Sequence, residues 1–132
     1  MDPNQRDRVA LTLAPDGRYA RVARTVVASC ASLEGFSVDD LGDVRLLVDT
    51  AFHALAGLGA GAVDIALWTE ARGLVIEMSS PRGQGRQWND PDAAMLMTVA
   101  SVVGFEREFT DDDDRLTMRI AVRPGSHDIA AG

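Results

Sequence analysis

The sequence predicts an α+β domain, a two-layer sandwich with one mostly antiparallel sheet and about three helices on one face. Three observations carry that prediction. Segments with an apolar period of two occur as neighbouring pairs instead of alternating singly with helices. The order is strand, helix, helix, strand, strand, helix, strand, strand. One long stretch, Asp43–Leu58, keeps a helical apolar period throughout.

Val9, Leu11 and Leu13 alternate with Ala10 and Thr12, the pattern of a short strand. Pro15, Asp16 and Gly17 make a turn, with Asp16 placed to cap the next helix. That helix is expected over Tyr19–Leu33, with Tyr19, Val22, Val26, Cys30 and Leu33 as its apolar stripe and Arg18, Arg21 and Arg24 largely away from it. The central helix has its capping pair in Ser37 and Asp40 and negative charge from Asp39 and Asp40 in its first turn. Val44, Val48, Ala51, Phe52, Leu55 and Leu58 form its buried stripe, which Leu41 extends and Leu47 widens. Gly57 and Gly59 are expected to stop it.

Ala62–Thr69 and Leu74–Ser79 then read as strands joined by a tight turn over Glu70–Gly73, a hairpin with Leu74, Ile76 and Met78 on one face. The stretch SSPRGQGRQWN reads as a loop. Asp90 and Pro91 open a third helix whose expected apolar face is Met95, Leu96, Val99, Val102 and Val103, with Gly104 after its last turn. Phe105–Phe109 and Leu116–Val122 are two more alternating strands joined by TDDDDR. Residues 1–7 and 124–132 are expected to be flexible ends around a single domain spanning 8–123.

A chain of 132 residues can bury about two-thirds of the surface its unfolded form exposes, enough for a core without staples. It has one cysteine, which rules out an intramolecular disulfide and a multi-cysteine metal site. No apolar run reaches membrane-spanning length and the N-terminal MDPNQRDRV has no signal-peptide core, so a soluble cytoplasmic protein is expected. A net charge of −7 argues against nucleic acid as the main partner. All 13 basic residues are arginine. An arginine-favouring GC-rich genome accounts for that, and without lysine a P-loop NTPase is excluded.

No catalytic residue and no metal-ligand set is assigned. His53 has no identifiable nucleophile or carboxylate partner, and Cys30 falls in an apolar stripe, as a buried inert thiol does. Asp111–Asp114 lacks the alternate spacing of a calcium loop and reads as a solvated hairpin tip. Gly83 and Gly85 could let backbone approach a phosphate, although any strand-to-helix loop can need glycine. Trp68 and Trp88 read as core or rim residues.

The helix DVRLLVDTAFHAL, followed by a hairpin, a glycine loop and another helix, resembles the RsbW-type anti-sigma factors and serine kinases, which share the histidine-kinase-like (Bergerat) ATPase fold. The resemblance runs from about Val9 to Val122 and is closest to divergent actinobacterial, UsfX-like members. Asp43, Arg45, Leu46, Val48, Asp49 and Ala51 match the family's central helix. Its catalytic glutamate falls on Thr50, its magnesium-binding asparagine on Ala54 and its adenine-reading aspartate on Ser80. Gly83 and Gly85 remain, while the second glycine motif falls on Pro91–Met95 without a glycine.

Threonine is no carboxylate base and alanine offers a cation no oxygen. The resemblance therefore implies a regulatory binding protein that holds a sigma factor, a STAS-type anti-sigma antagonist or both, as a homodimer and without a cofactor. The alternative it implies is a serine-protein kinase using ATP and magnesium. Arg18, Arg21 and Arg24 are the expected partner contacts, since arginine is enriched at interfaces.

Overall fold

The structure, a computed structural model, describes residues 8–70, 73–103, 105–112 and 114–123. The expectations for both chain ends, for Gly104, for Asp113 and for the middle of the 70–73 turn lie outside them. The elements run β1 (Val9–Leu13), a 3-10 turn (Gly17–Tyr19), α1 (Ala20–Leu33), α2 (Val38–Leu58), β2 (Val63–Glu70) and β3 (Gly73–Pro81). A second 3-10 turn (Pro91–Ala93), α3 (Ala94–Val103), β4 (Glu106–Asp111) and β5 (Arg115–Val122) complete the order. The class is α+β: the described residues form five strands in the order β1-β2-β3-β5-β4, every neighbouring pair antiparallel, with three helices.

Register decides which strand residues meet the helices. Leu11 sits opposite Ile65, Ile65 opposite Met78, and Met78 opposite Met118. With a side-chain period of two, these positions and those two residues away share one face. Val63, Ile65, Leu67, Leu74, Ile76, Met78, Leu116, Met118, Ile120 and Val122 all join one core with the helices. The opposite face holds a small buried apolar cluster, Ala66, Trp68 and Val75, among ion pairs: Arg119 to Glu77 at 2.6 Å, and Arg115 to Asp64 at 2.8 Å. Trp68 lies on that face, beneath the guanidinium groups of Arg8 at 5.0 Å and Arg119 at 5.4 Å from its ring centre.

The central helix begins as predicted. The Ser37 hydroxyl accepts the Asp40 amide at 3.1 Å, and the Asp40 carboxylate accepts the Ser37 amide at 3.3 Å, a reciprocal capping box. Its predicted stripe from Val44 to Leu58 is fully buried, Leu47 included, while Leu41 one turn earlier is half-buried.

Its stop matches expectation at Gly59 and differs at Gly57. Gly57 stays inside the helix, and Gly59 ends it in an extended conformation, φ −84° and ψ 169°. Gly59 is required there by crowding: a Cβ would stand 2.1 Å from Ser80 Oγ and 2.8 Å from the Leu55 carbonyl oxygen.

α1 buries a different face from the one its bulky residues mark, and α3 does so in part. In α1 the buried residues are Ala20, Ala23, Val27, Ala28 and Ala31, whereas Val22 is 42% and Leu33 84% exposed, with Tyr19, Val26 and Cys30 half-buried at the margin. α1 packs chiefly on α2, whose core face already carries Leu47, Phe52 and Leu55. Small residues at the contact let the two axes come close, and the bulk is displaced to the flanks. At α3 the expected face holds in part: Leu96 is buried with Ala93 and Ala100, Val99 and Val103 pack half-buried against the core, and Met95 and Val102 point to solvent. β3 also runs on through Ser80 to Pro81, so the loop begins at Arg82 and not at Ser79.

Trp88 pins that loop to the sheet. It is buried, its indole N–H donates to the Thr110 carbonyl at 3.0 Å, and its ring meets Phe109 edge-on with centroids 5.1 Å apart. Its backbone N–H also donates to Asp111, so the first residue of the acidic run serves the fold. Among the described residues no group of carboxylates, histidines and cysteine is placed to hold a metal, and no helix is long and apolar enough to cross a membrane.

Candidate functional site

Thr50 and Ala54 are four residues apart on α2 and so share a face one turn apart. That face, with Asp49 and His53, forms one wall of a cleft of about 260 Å³; Asp92, Met95 and Leu96 form the other. Asp92 is placed by the cap of the 3-10 turn, where its amide donates to the Asp90 carboxylate at 3.0 Å, and Arg86 pairs with both Asp90 and Asp92. Among the described residues no arginine lines the cleft itself. The volume lies below the roughly 300–1,000 Å³ usual for pockets that enclose a small-molecule ligand.

The polar atoms near the cleft are largely committed to the fold. The Thr50 hydroxyl donates to the Leu46 carbonyl one turn back, at 2.7 Å. The Asp49 carboxylate accepts from Arg24 Nη1 at 2.6 Å and stands 3.9 Å from His53 Nε2, an ion-pair distance too long for a hydrogen bond. His53 is nevertheless held in place. Its ring lies against Gly17, where a Cβ would come within 3.0 Å of Cε1.

Of the other positions that the resemblance marks, Asp92 and Met95 in the Pro91–Met95 stretch line the cleft, while Ser80, Gly83 and Gly85 do not. Ser80 is fully buried on β3, its hydroxyl donating to the Gly61 carbonyl at 3.2 Å. Gly83 closes the loop onto the end of α2: its amide donates to the Leu58 carbonyl at 3.2 Å, and a Cβ would stand 2.7 Å from that oxygen. Gly85 has φ +73° and turns the chain so that the Arg86 amide meets the Gly83 carbonyl. Here both glycines serve loop closure.

The predicted arginine cluster divides. Arg18 and Arg21 are exposed, and Arg18 pairs with Asp16 at 3.1 Å. Arg24 is turned the other way, half-buried between α1 and α2 on Asp49. It ties two helices together and does not belong to a free surface with the other two. Truncating Arg24 to alanine should cost about 0.5–1 kcal/mol, since the pair is partly solvated, whereas Arg18→Ala and Arg21→Ala should stay within about 0.5 kcal/mol of wild type in urea denaturation. The resemblance marks the Pro91–Met95 stretch, but not that Asp92 and Met95 are the residues of it that line the cleft, because nothing local marks which face of α3 turns to α2.

Cys30 lines a different groove, of about 450 Å³, with Val9, Leu33, Leu67 and Leu74. Burial, and secondarily the nearby Glu34 charge, push its thiol pKa above the usual value. Since the thiolate is the nucleophile, alkylation by iodoacetamide should be slower at pH 8 than for a free cysteine peptide and should recover as pH rises. Equal rates at pH 8 would contradict this environment.

A scan against protein-family models finds no match, and no curated protein matches the chain.

Proposed function

We propose that this chain is a regulatory binding protein of the anti-sigma type, which holds a sigma factor, a STAS-type antagonist or both, and works without ATP. The observation that carries the reading is the division of α2 into two faces. The residues that match the family helix on its buried side, Val48 and Ala51, are wholly enclosed in the core. The positions where that family places its catalytic glutamate and magnesium-binding asparagine, Thr50 and Ala54, face a cleft with no carboxamide and no arginine along it among the described residues.

Ser80 is enclosed and cannot read a base edge. The residues present therefore do not fit a magnesium nucleotide. Triphosphate charge would meet Asp49 and Asp92, and Arg24 and Arg86 are already paired to those two carboxylates. On this reading the fold is a histidine-kinase-like ATPase fold retained as a scaffold, in a cytoplasmic homodimer whose contact lies at β1 and α1. The exposed Val9, Val22 and Leu33 supply apolar surface there.

Two measurements on one sample test this. Co-purification of the full chain from its native extract should recover a sigma factor or a STAS protein, and recovery of neither removes the main support. Calorimetry with Mg-ATP should show no micromolar binding. Micromolar binding would favour the kinase reading instead.

A further inference from the structure

The cleft between α2 and α3 continues into apolar surface left in water. Met95 is 68%, Val102 79% and Leu46 49% exposed. Met95 and Val102 lie two turns apart on one face of α3, and Leu46 lies one turn before Thr50 on α2. Met95 and Thr50 face each other across the cleft. Met95 lines the cleft, and by helical spacing Val102 continues its face of α3 and Leu46 the Thr50 face of α2.

The charge around this surface is acidic. Asp49 and Asp92 line the cleft. With the groups that pair to them, three carboxylates (Asp49, Asp90, Asp92) stand against two guanidinium groups (Arg24, Arg86). The whole chain carries −7, which draws cations toward it from beyond contact distance. An apolar groove between two helices accepts the apolar face of a third, and an acidic end selects a basic side chain on it.

We infer that the α2–α3 cleft docks a basic amphipathic helix of a partner protein. Its apolar side chains would rest on Leu46, Met95 and Val102, and an arginine or lysine would reach the Asp49–Asp92 end. This rests on the binding-protein reading and adds where the partner sits and what its contacting helix must carry.

The probe is a model leucine–arginine amphipathic peptide of about 14 residues, near the length at which an isolated helix becomes marginally stable. A leucine–glutamate twin is the control. Titration into isotope-labelled full chain, followed by amide NMR, should move Leu46, Thr50, His53, Met95 and Val102. The glutamate twin should bind at least about tenfold more weakly. Met95→Arg, a change at an exposed position, should weaken the arginine peptide about tenfold or more. Asp112→Asn, on the distant hairpin, should leave binding unchanged.

Equal binding of both peptides, absent binding, or shifts centred on the sheet face or the 111–114 hairpin would overturn the inference. The native partner separates this inference from the reading beneath it. A partner held by wild type and lost by Met95→Arg supports both. A partner held equally by both proteins overturns the cleft assignment alone. A wild type that holds no partner overturns the binding-protein reading, and the peptide titration still decides the chemistry of the cleft.

Discussion

Replacing Ser80 with aspartate is expected to lower stability by about 3–5 kcal/mol and to create no nucleotide site. The substitution restores the residue type that the resembled family uses to read adenine, so activation would be the natural expectation from the sequence. The structure turns that around. Ser80 is fully buried, and its Cβ and Oγ already crowd the space over Gly59. Its hydroxyl gives its hydrogen to the Gly61 carbonyl. A carboxylate there gains bulk, loses that donor, and stands among Gly59, Gly61 and Leu116, none of which carries a balancing charge.

The loss is a large part of the roughly 5–15 kcal/mol that holds a typical domain together. The urea midpoint should fall by more than about 1 M. The pH dependence gives a second check. Burial disfavours the charged form, so the introduced carboxyl would have a folded pKa above its unfolded value of about 3.9. The deficit relative to wild type should then shrink as pH falls through that folded pKa, and its charge-dependent part should vanish below the unfolded one. An unchanged midpoint, or Mg-ATP binding by this variant, would show that the assignment of Ser80 to the interior is wrong.

The second large effect concerns the α1–α2 contact. Ala23→Leu should cost about 2–3 kcal/mol, because Ala23 is completely buried where the two helices come together and three added carbons must displace one helix from the other. Val22→Ser, at the neighbouring position, should stay within about 0.5 kcal/mol of wild type. A reading of α1 by its bulky residues gives the opposite ranking, with Val22 costly and Ala23 tolerant. Thermal denaturation of the two variants decides between them, and the reverse order would reject the alanine face.

These two cases mark how far the sequence reaches. The class, the order of elements and the central helix were legible because each rests on local chemistry. Alternation of period two marks β2, β3 and β5, and the Ser37–Asp40 pair starts α2 through hydrogen bonds within four residues. The face of α1 was not legible, and that of α3 only in part. An apolar stripe shows which residues could be buried, but how closely two helices approach depends on both, and alanines are buried only because α2 fills the rest of the core.

The same division governs the candidate site. The sequence by itself determined that Thr50 and Ala54 share one helical face, that Thr50 offers no carboxylate and that Ala54 offers a cation no oxygen, which comes from helical spacing and side-chain chemistry. Only the tertiary structure decided that this face opens on Asp92 and Met95, that Arg24 is committed to Asp49, and that Ser80 and Gly83 serve the closing of α2. Arg24 and Asp49 are 25 positions apart, and Gly83 meets Leu58 across the same separation, at which no local pattern carries information about which partner will be met.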